Sequence, residues 1–135
     1  MVTRRDWLRT ATARLTAAGC EDAAFDARCL LEDLGSMPRG QAADDTPLTE
    51  AQDAVLATAL EQRAAGRPLQ YILGQWEFLT LTLTVGEGVL IPRPDTELLV
   101  EKGLELIKNT SNPRVLDLCS GSGCVAIAIK KKLNL

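Results

Sequence analysis

Residues 114–129, RVLDLCSGSGCVAIAI, constrain the fold more than any other stretch of the chain. The apolar run at 115–118 predicts a buried parallel strand, Gly121 and Gly123 predict a turn, and residues 125–132 predict the helix that follows. One parallel strand cannot pair its backbone or cover both of its faces alone. The pattern therefore predicts the opening unit of a larger α/β sheet, and the open edge of that sheet predicts self-association.

The first 66 residues carry a helical pattern. Apolar residues recur at helical spacing in three segments, which begin near Thr3, Asp22 and Thr49 and each end at a glycine. Thr49 followed three residues later by Gln52 is a capping box. We therefore predict a compact helical bundle for residues 1–66, with a loop at 35–48. Trp7 and Phe25 are expected in its core.

The periodicity changes after Gly66. Leu79, Leu81, Leu83 and Val85 alternate with threonines, which favours a half-buried strand. The following VGEGVLIP supplies glycines for a turn and a second apolar run. Residues 76–91 are therefore predicted to form a β-hairpin inside a linker of residues 67–92, and residues 93–135 to begin an α/β domain with a helix.

Composition excludes several classes of protein. The chain has 135 residues, no histidine, and four cysteines that form no C-x-x-C pair. Triad hydrolysis and a metal site are therefore not expected. The formal charge of −3 argues against direct nucleic-acid binding. The N-terminus is not signal-like and no apolar run approaches membrane-spanning length, so we expect a cytoplasmic protein with reduced thiols and no membrane contact.

The glycine turn predicts a ligand site. Glycines let the backbone approach a ligand closely, and the amides at the start of a helix can donate hydrogen bonds to it. Gly121-x-Gly123-x-x-Ala126 also fits the dinucleotide fingerprint, which keeps a nicotinamide-dependent oxidoreductase open as an alternative. Asp117, however, stands four residues before Gly121, so the turn is longer than in the dinucleotide pattern.

That spacing resembles motif I of the Rossmann-like methyltransferases that use S-adenosylmethionine, with Cys119 in the place of the first glycine of an acid–G-x-G-x-G pattern. More specific is the run IPRPDTE within residues 88–101, which resembles the segment before motif I in the HemK-type glutamine N5-methyltransferases. The stretch RPLQYILGQWEF, residues 67–78, is similar to the one that joins the helical domain to the hairpin in that family. The likeness is clear over residues 67–129 and weaker over 1–66.

The resemblance implies a fold and an activity. The implied fold class is α + α/β: a small N-terminal helical bundle, a β-hairpin linker, and the first helix–strand–helix of a Rossmann-like domain. Members of this family transfer a methyl group from S-adenosylmethionine to the glutamine amide nitrogen in the Gly-Gly-Gln motif of peptide chain release factors. The implied cofactor is thus S-adenosylmethionine and the implied partner a release factor. The implied cofactor-binding residues are Asp117, Cys119, Ser120, Gly121, Ser122, Gly123, Thr96 and Glu97.

Each acidic candidate has a plainer interpretation. The Asp117 carboxylate can face the ammonium group of the cofactor's methionine part, or it can hydrogen-bond loop amides without touching a ligand. Thr96 and Glu97 can lie near the cofactor, or they can be first-turn residues of which the acid suits the helix dipole. The sequence leaves these alternatives open.

The catalytic Asn-Pro-Pro-Tyr motif of the family is absent from the 135 residues, as is the acid expected after the next strand. We therefore expect no catalytic residue here, and a fragment that is inactive by itself. The helical domain is interpreted as a docking surface for the protein substrate or as a lid. A stand-alone helical interaction module remains a further alternative.

Overall fold

A computed structural model describes residues 1–40 and 44–133. The chain divides into two compact units, Met1–Leu73 and Gly74–Leu135. Part of the loop predicted at 35–48 and the last two residues of the predicted α/β segment lie outside the described residues. No helix in the described ranges combines the length and the apolar character needed to span a bilayer.

The first unit is helical. It contains α1 (Arg4–Ala17), α2 (Ala23–Cys29), a π-helical segment (Leu30–Leu34) that continues α2, α3 (Glu50–Ala64) and the short α4 (Leu69–Leu73). The predicted capping box of Thr49 and Gln52 is confirmed. The helix predicted to begin near Thr3 is capped by this residue, whose hydroxyl accepts the Asp6 N–H at 3.2 Å. Local polar residues therefore set where α1 and α3 begin.

Leucines from three elements form the core of this unit. Leu15 of α1, Leu30 and Leu31 of the π-helical segment and Leu56 of α3 are all fully buried. Trp7 is buried as predicted, but the prediction for Phe25 is wrong, since this side chain is 53% exposed. The reason is that α2 turns a different face inward, which carries Ala23, Asp26 and Ala27.

The inward face of α2 buries a charge, and the charge is paired. Asp26 is 5% exposed, and its Oδ2 accepts a hydrogen bond from Arg63 Nε at 2.7 Å. Glu32 is also buried and accepts the Gly40 N–H at 2.8 Å. Nearby, burial and then the neighbouring carboxylates raise the pKa of the Cys29 thiol to about 11. Buried carboxylates such as those of Asp26 and Glu32 need hydrogen-bond or ion-pair partners, because removal from water penalises an unpaired charge.

The second unit begins with a two-stranded antiparallel sheet, β1 (Gln75–Phe78) and β2 (Leu81–Thr84). The predicted hairpin is present, and β2 lies within the predicted alternating strand, but the predicted start of that strand and its predicted partner are wrong. The strand does not start at Leu79, because Phe78 of β1 opposes Leu81 of β2 and residues 79 and 80 form the turn between them. The apolar run after Gly88 is not a strand.

Two further helices complete the second unit, α5 (Pro94–Ile107) and α6 (Cys124–Leu133). The hairpin, α5 and α6 share one apolar core. Phe78 and Val100 are almost fully buried in it, and Cys124, the first residue of α6, is 7% exposed. The hairpin therefore helps to fix the end of α6 that follows the glycine turn. The buried members of this core are Phe78, Leu81, Val100, Cys124, Ala128 and Ile129.

The predicted strand at 115–118 is not present. These residues have irregular backbone, and Leu116 and Leu118 are 79% and 77% exposed. A strand needs a neighbour to pair its N–H and C=O groups, and within the described ranges the only sheet is the hairpin. The second unit is thus hairpin, helix, irregular segment, helix, and the Rossmann-like part of the expected fold is not confirmed.

Candidate cofactor site

The candidate site is the turn of residues 119–123, which leads from the irregular segment into α6. The backbone reverses here because Gly123 N–H donates to the Ser120 carbonyl at 2.8 Å. Helix α6 then starts at once, with Ile127 N–H bonded to the Gly123 carbonyl at 3.0 Å. Cys119, Ser120 and Gly121 are exposed, so the outer side of the turn is open to a ligand.

Every second residue of this turn has a positive φ. Cys119 is at +57°, Gly121 at +55° and Gly123 at +76°. Glycine adopts this region without penalty, whereas a residue with a Cβ does not. Cys119 therefore occupies, at a conformational cost, the position where the motif I pattern has its first glycine.

Gly121 is required for its backbone angle rather than for lack of space. A Cβ built on Gly121 would meet no atom within 4 Å, and one on Gly123 would make only an ordinary contact with Ile127. The space beside Gly121 is therefore unfilled by protein atoms. A ligand can approach the backbone there, although glycines outside the turn, such as Gly74, have the same open space.

Asp117 is tied to the start of α6. Its Oδ2 accepts a hydrogen bond from the Ala126 N–H at 3.3 Å, and the side chain is half-buried. The Ser122 hydroxyl lies 3.4 Å from the Cys124 N–H and supplies a longer contact at the same helix end. The interpretation of Asp117 as an acceptor for backbone amides thus matches the geometry, and the second carboxylate oxygen leaves a role toward a ligand open.

The position of Asp117 makes this helix end electrostatically unusual. Helix N-termini carry a partial positive charge and commonly attract anions. Here the protein's own carboxylate fills that role for α6. A ligand that approaches the turn therefore meets an acid, which favours a cationic group over an anionic one.

Asp117 also lines a shallow depression of about 310 Å³ beside α6. Its remaining walls are mostly apolar and come from the irregular segment and from α6. Lys130 adds one cation to the rim. The residues around Asp117 in this depression are Pro113, Val115, Ala126, Ile129, Lys130 and Leu133.

The other two predicted cofactor residues lie in the first turn of α5. Thr96 is half-buried, and its N–H donates to the Arg93 carbonyl at 3.0 Å. Glu97 turns toward the hairpin, where its Oε1 accepts the Leu79 N–H at 2.7 Å. This contact is not predictable from the sequence, because nothing in the alternating run marks Leu79 as a turn residue that needs an acceptor.

No group of three or more His, Cys, Asp or Glu side chains in the described part of the chain is arranged to hold a metal ion. The site thus consists of one carboxylate, two hydroxyls, one thiol and the backbone of a glycine turn. Groups of this kind bind and orient a ligand.

Comparison with known proteins decides the family. Residues 6–74 match the family model described as the PrmC N-terminal domain. The chain belongs to the PrmC family. The match to this family's N-terminal domain covers the helical unit and ends at Gly74, where the second compact unit begins.

Curated relatives of this PrmC family member extend the likeness through the glycine turn. It is 42% identical over 137 residues to the release factor glutamine methyltransferase of Haemophilus influenzae, across 96% of this chain and 47% of the relative. The protein of that name from Bradyrhizobium diazoefficiens is 42% identical over 126 residues, across 90% of this chain and 42% of its own length. That from Thermodesulfovibrio yellowstonii is 50% identical over 91 residues, which are 65% of this chain and 32% of the relative. The chain thus spans at most about half the length of these relatives.

Proposed function

We propose that this chain provides the helical domain and the first part of the cofactor-binding domain of an enzyme that methylates the Gly-Gly-Gln glutamine of a peptide chain release factor. The proposed cofactor is S-adenosylmethionine, bound at the turn before α6. The observation that carries the proposal is the Asp117 carboxylate, held at the start of α6 by the Ala126 N–H at 3.3 Å, together with the unfilled space at Gly121.

The residues of the turn suit this cofactor. Its methionine part carries an ammonium group, for which a half-buried carboxylate such as Asp117 is a favourable partner. The backbone at Gly121 is open, and the exposed hydroxyl of Ser120 can donate or accept beside it. When bound, the cofactor supplies an electrophilic methyl group on a sulfonium. This chain would bind and orient the cofactor, and Ser122 and Gly123 would form the part of the turn that leads into α6 beside it.

The same carboxylate argues against the oxidoreductase alternative. A dinucleotide places its pyrophosphate at a helix N-terminus, where free amides and the dipole favour negative charge. In this chain Asp117 stands at that place and bonds to an α6 amide. Two anions in contact there would repel each other, so the site favours a ligand with a cationic end.

The proposal extends to the fold. We infer that residues 115–118 become a parallel strand of a Rossmann-like sheet when neighbouring strands are present. The support is their composition and their exposure, since Val115, Leu116 and Leu118 are apolar and yet 49%, 79% and 77% exposed. In a strand Leu116 and Leu118 would share one face and Val115 would lie on the other, and apolar side chains on both faces are typical of a strand that is covered on both sides.

The helical unit is proposed to recognise the protein substrate. It forms a compact unit with its own buried leucine core, so it can present a defined surface. Its formal charge and that of the whole chain do not favour nucleic acid, and we propose a cytoplasmic location where release factors act. If the unit instead works as an isolated interaction module, it binds a release factor without any cofactor-binding partner domain.

The decisive experiment replaces Asp117 by asparagine in the chain extended to the length of its relatives. Asp117→Asn keeps an oxygen that can accept the Ala126 N–H, so the turn should persist, but it removes the charge. We expect the affinity for S-adenosylhomocysteine in calorimetry to fall by about tenfold or more, since a charge pair of this kind contributes on the order of 1–4 kcal/mol. Asp117→Ala, which removes the acceptor as well, should also lower thermal stability.

Two results would refute the proposal, the first its cofactor and the second the role of Asp117. One is a parent protein that binds NAD but not S-adenosylmethionine or S-adenosylhomocysteine. The other is an Asp117→Asn variant with unchanged affinity for S-adenosylhomocysteine. If this variant gains affinity for NAD, the charge of Asp117 is what keeps a dinucleotide out of the parent site, as argued above.

A further inference from the structure

The hairpin turn holds a leucine in a conformation that L-amino acids rarely adopt. Leu79 has a φ of +53°, in a two-residue turn with Thr80 that contains no glycine. In this region Cβ comes too close to the following carbonyl oxygen. A bulky residue remains there only where surrounding contacts hold it.

Glu97 supplies one such contact from another element. Its Oε1 accepts a hydrogen bond from the Leu79 N–H at 2.7 Å, between residues 18 apart in sequence. Short distances are typical of hydrogen bonds to carboxylates. Glu97 is half-buried, so water competes less for this bond than at an exposed site. The carboxylate thus ties the turn of the hairpin to the first turn of α5.

Glu97 lies on the face of α5 that packs against the hairpin. Val100, three residues further, is fully buried in the core with Phe78 and Leu81, the two residues that flank the turn. Leu104 packs against the same core. Residues three and four apart share a helix face, so Glu97 lies on the same face of α5 as Val100 and Leu104, at the N-terminal end of that face. The packing of this face of α5 against the hairpin therefore orients the Glu97 side chain toward Leu79.

The hairpin depends on such contacts. Each strand has four residues, and an isolated two-stranded hairpin is marginally stable. The core beneath it also holds Cys124 at the start of α6. A shift of the turn would therefore be felt at α5, which carries Thr96 and Glu97, and at the start of α6, which follows the glycine turn.

We propose that Glu97 is a positioning residue that fixes the hairpin turn against α5, and that its carboxylate serves the hairpin and not the cofactor. The first turn of α5, which includes Thr96, is oriented through this bond. The effect on cofactor binding rests on the proposed function, whereas the contact with the hairpin does not.

The test compares Glu97→Gln with Glu97→Ala. Glutamine keeps a side-chain oxygen at the position of Oε1, so it can still accept the Leu79 N–H, whereas alanine cannot. In hydrogen exchange followed by NMR on this chain, Glu97→Ala should speed exchange of the Leu79 amide by about tenfold or more. Glu97→Gln should restore most of the protection. In the chain extended to full length, Glu97→Gln should bind S-adenosylhomocysteine like the parent, and Glu97→Ala more weakly.

Two control variants isolate the contact. Glu101→Ala makes the same change one turn further along α5 at an exposed position, and Asp95→Asn removes another first-turn charge. Both should leave the Leu79 amide protected. The proposal is overturned if Glu97→Ala leaves Leu79 exchange unchanged. It is also overturned if Glu97→Gln loses cofactor affinity as fully as Glu97→Ala while Leu79 stays protected. If the parent binds no S-adenosylhomocysteine, the proposed function fails and the exchange measurements alone decide the role of Glu97.

Discussion

Replacement of Gly121 by alanine separates the conformational need for glycine from its use as a binding surface. Gly121 has a φ of +55°, and a Cβ there meets no atom within 4 Å. The added methyl group therefore makes no clash within the protein. It does enter the open space where we place the cofactor.

The expected loss of stability is small and follows from the backbone angle. Holding a residue with a Cβ in the left-handed region costs about 1–2 kcal/mol. Alanine also restricts the unfolded chain, which offsets about 0.4–1 kcal/mol of this cost. The net loss is about 0.8 kcal/mol at the middle of these two ranges and about 1.6 kcal/mol at most, and the middle value lowers the melting temperature of a unit of this size by about 3–6 °C.

The expected loss of cofactor affinity is larger. An extra methyl group in a close contact costs about 1–3 kcal/mol, so the affinity for S-adenosylhomocysteine should fall by about fivefold to a hundredfold. Thermal unfolding of this chain measures the first effect, and calorimetry on the chain extended to the length of its relatives measures the second.

Gly74→Ala is the matched control. Gly74 belongs to the same unit, has a φ of +73°, and likewise has no atom within 4 Å of a built Cβ. It precedes the hairpin and is not among the predicted cofactor residues. This variant should lose a similar amount of stability and keep its affinity for the cofactor.

The reasoning is refuted by either of two results. If Gly121→Ala is as stable as the parent, the positive φ does not cost what we assign to it. If Gly121→Ala and Gly74→Ala bind S-adenosylhomocysteine equally well, the open side of the glycine turn is not the binding surface.

Three further predictions concern other parts of the chain. Arg63→Met should destabilise the helical unit by about 3 kcal/mol in denaturant unfolding, because it leaves the buried Asp26 carboxylate unpaired. The control Glu61→Gln breaks only an exposed ion pair with Arg14 and should change stability little, so equal losses in the two variants would contradict the prediction. The exposed Cys119 should react with iodoacetamide at about pH 8 faster than Cys29, because burial raises the pKa of the Cys29 thiol to about 11. Similar alkylation rates of the two cysteines in mass spectrometry would contradict this effect of burial on Cys29. The exposed apolar segment before the glycine turn should make this chain self-associate, so light scattering that detects monomers alone over a wide concentration range would oppose it.

Features that depend on neighbours in sequence were predictable. The Thr3 cap and the Thr49–Gln52 capping box each join residues three apart, so the sequence alone contains both partners. The glycine turn was also located, because Gly121 and Gly123 carry the backbone requirement in their residue type.

Features that depend on distant partners were not predictable. The inward face of α2 was misjudged because Asp26 is buried, and its partner Arg63 lies 37 residues away. Phe25 was therefore assigned to the core although it is half exposed. The hairpin register failed for the same reason, since an alternating run is compatible with more than one turn position, and the contact at Leu79 comes from α5.

The site shows the same division between residue type and partner. Asp117 and Glu97 were both predicted to serve the cofactor, and each carboxylate accepts a backbone N–H instead of standing free. Their consequences differ because their partners differ. The bond of Asp117 lies at the start of α6, so it keeps a negative charge beside the open turn, where we propose that it disfavours anionic ligands. The bond of Glu97 lies at the hairpin, so its carboxylate holds the strained turn at Leu79. For these two acids we therefore propose that the position of the amide partner, at the start of α6 or at the hairpin, decides whether the carboxylate serves a ligand at the open turn.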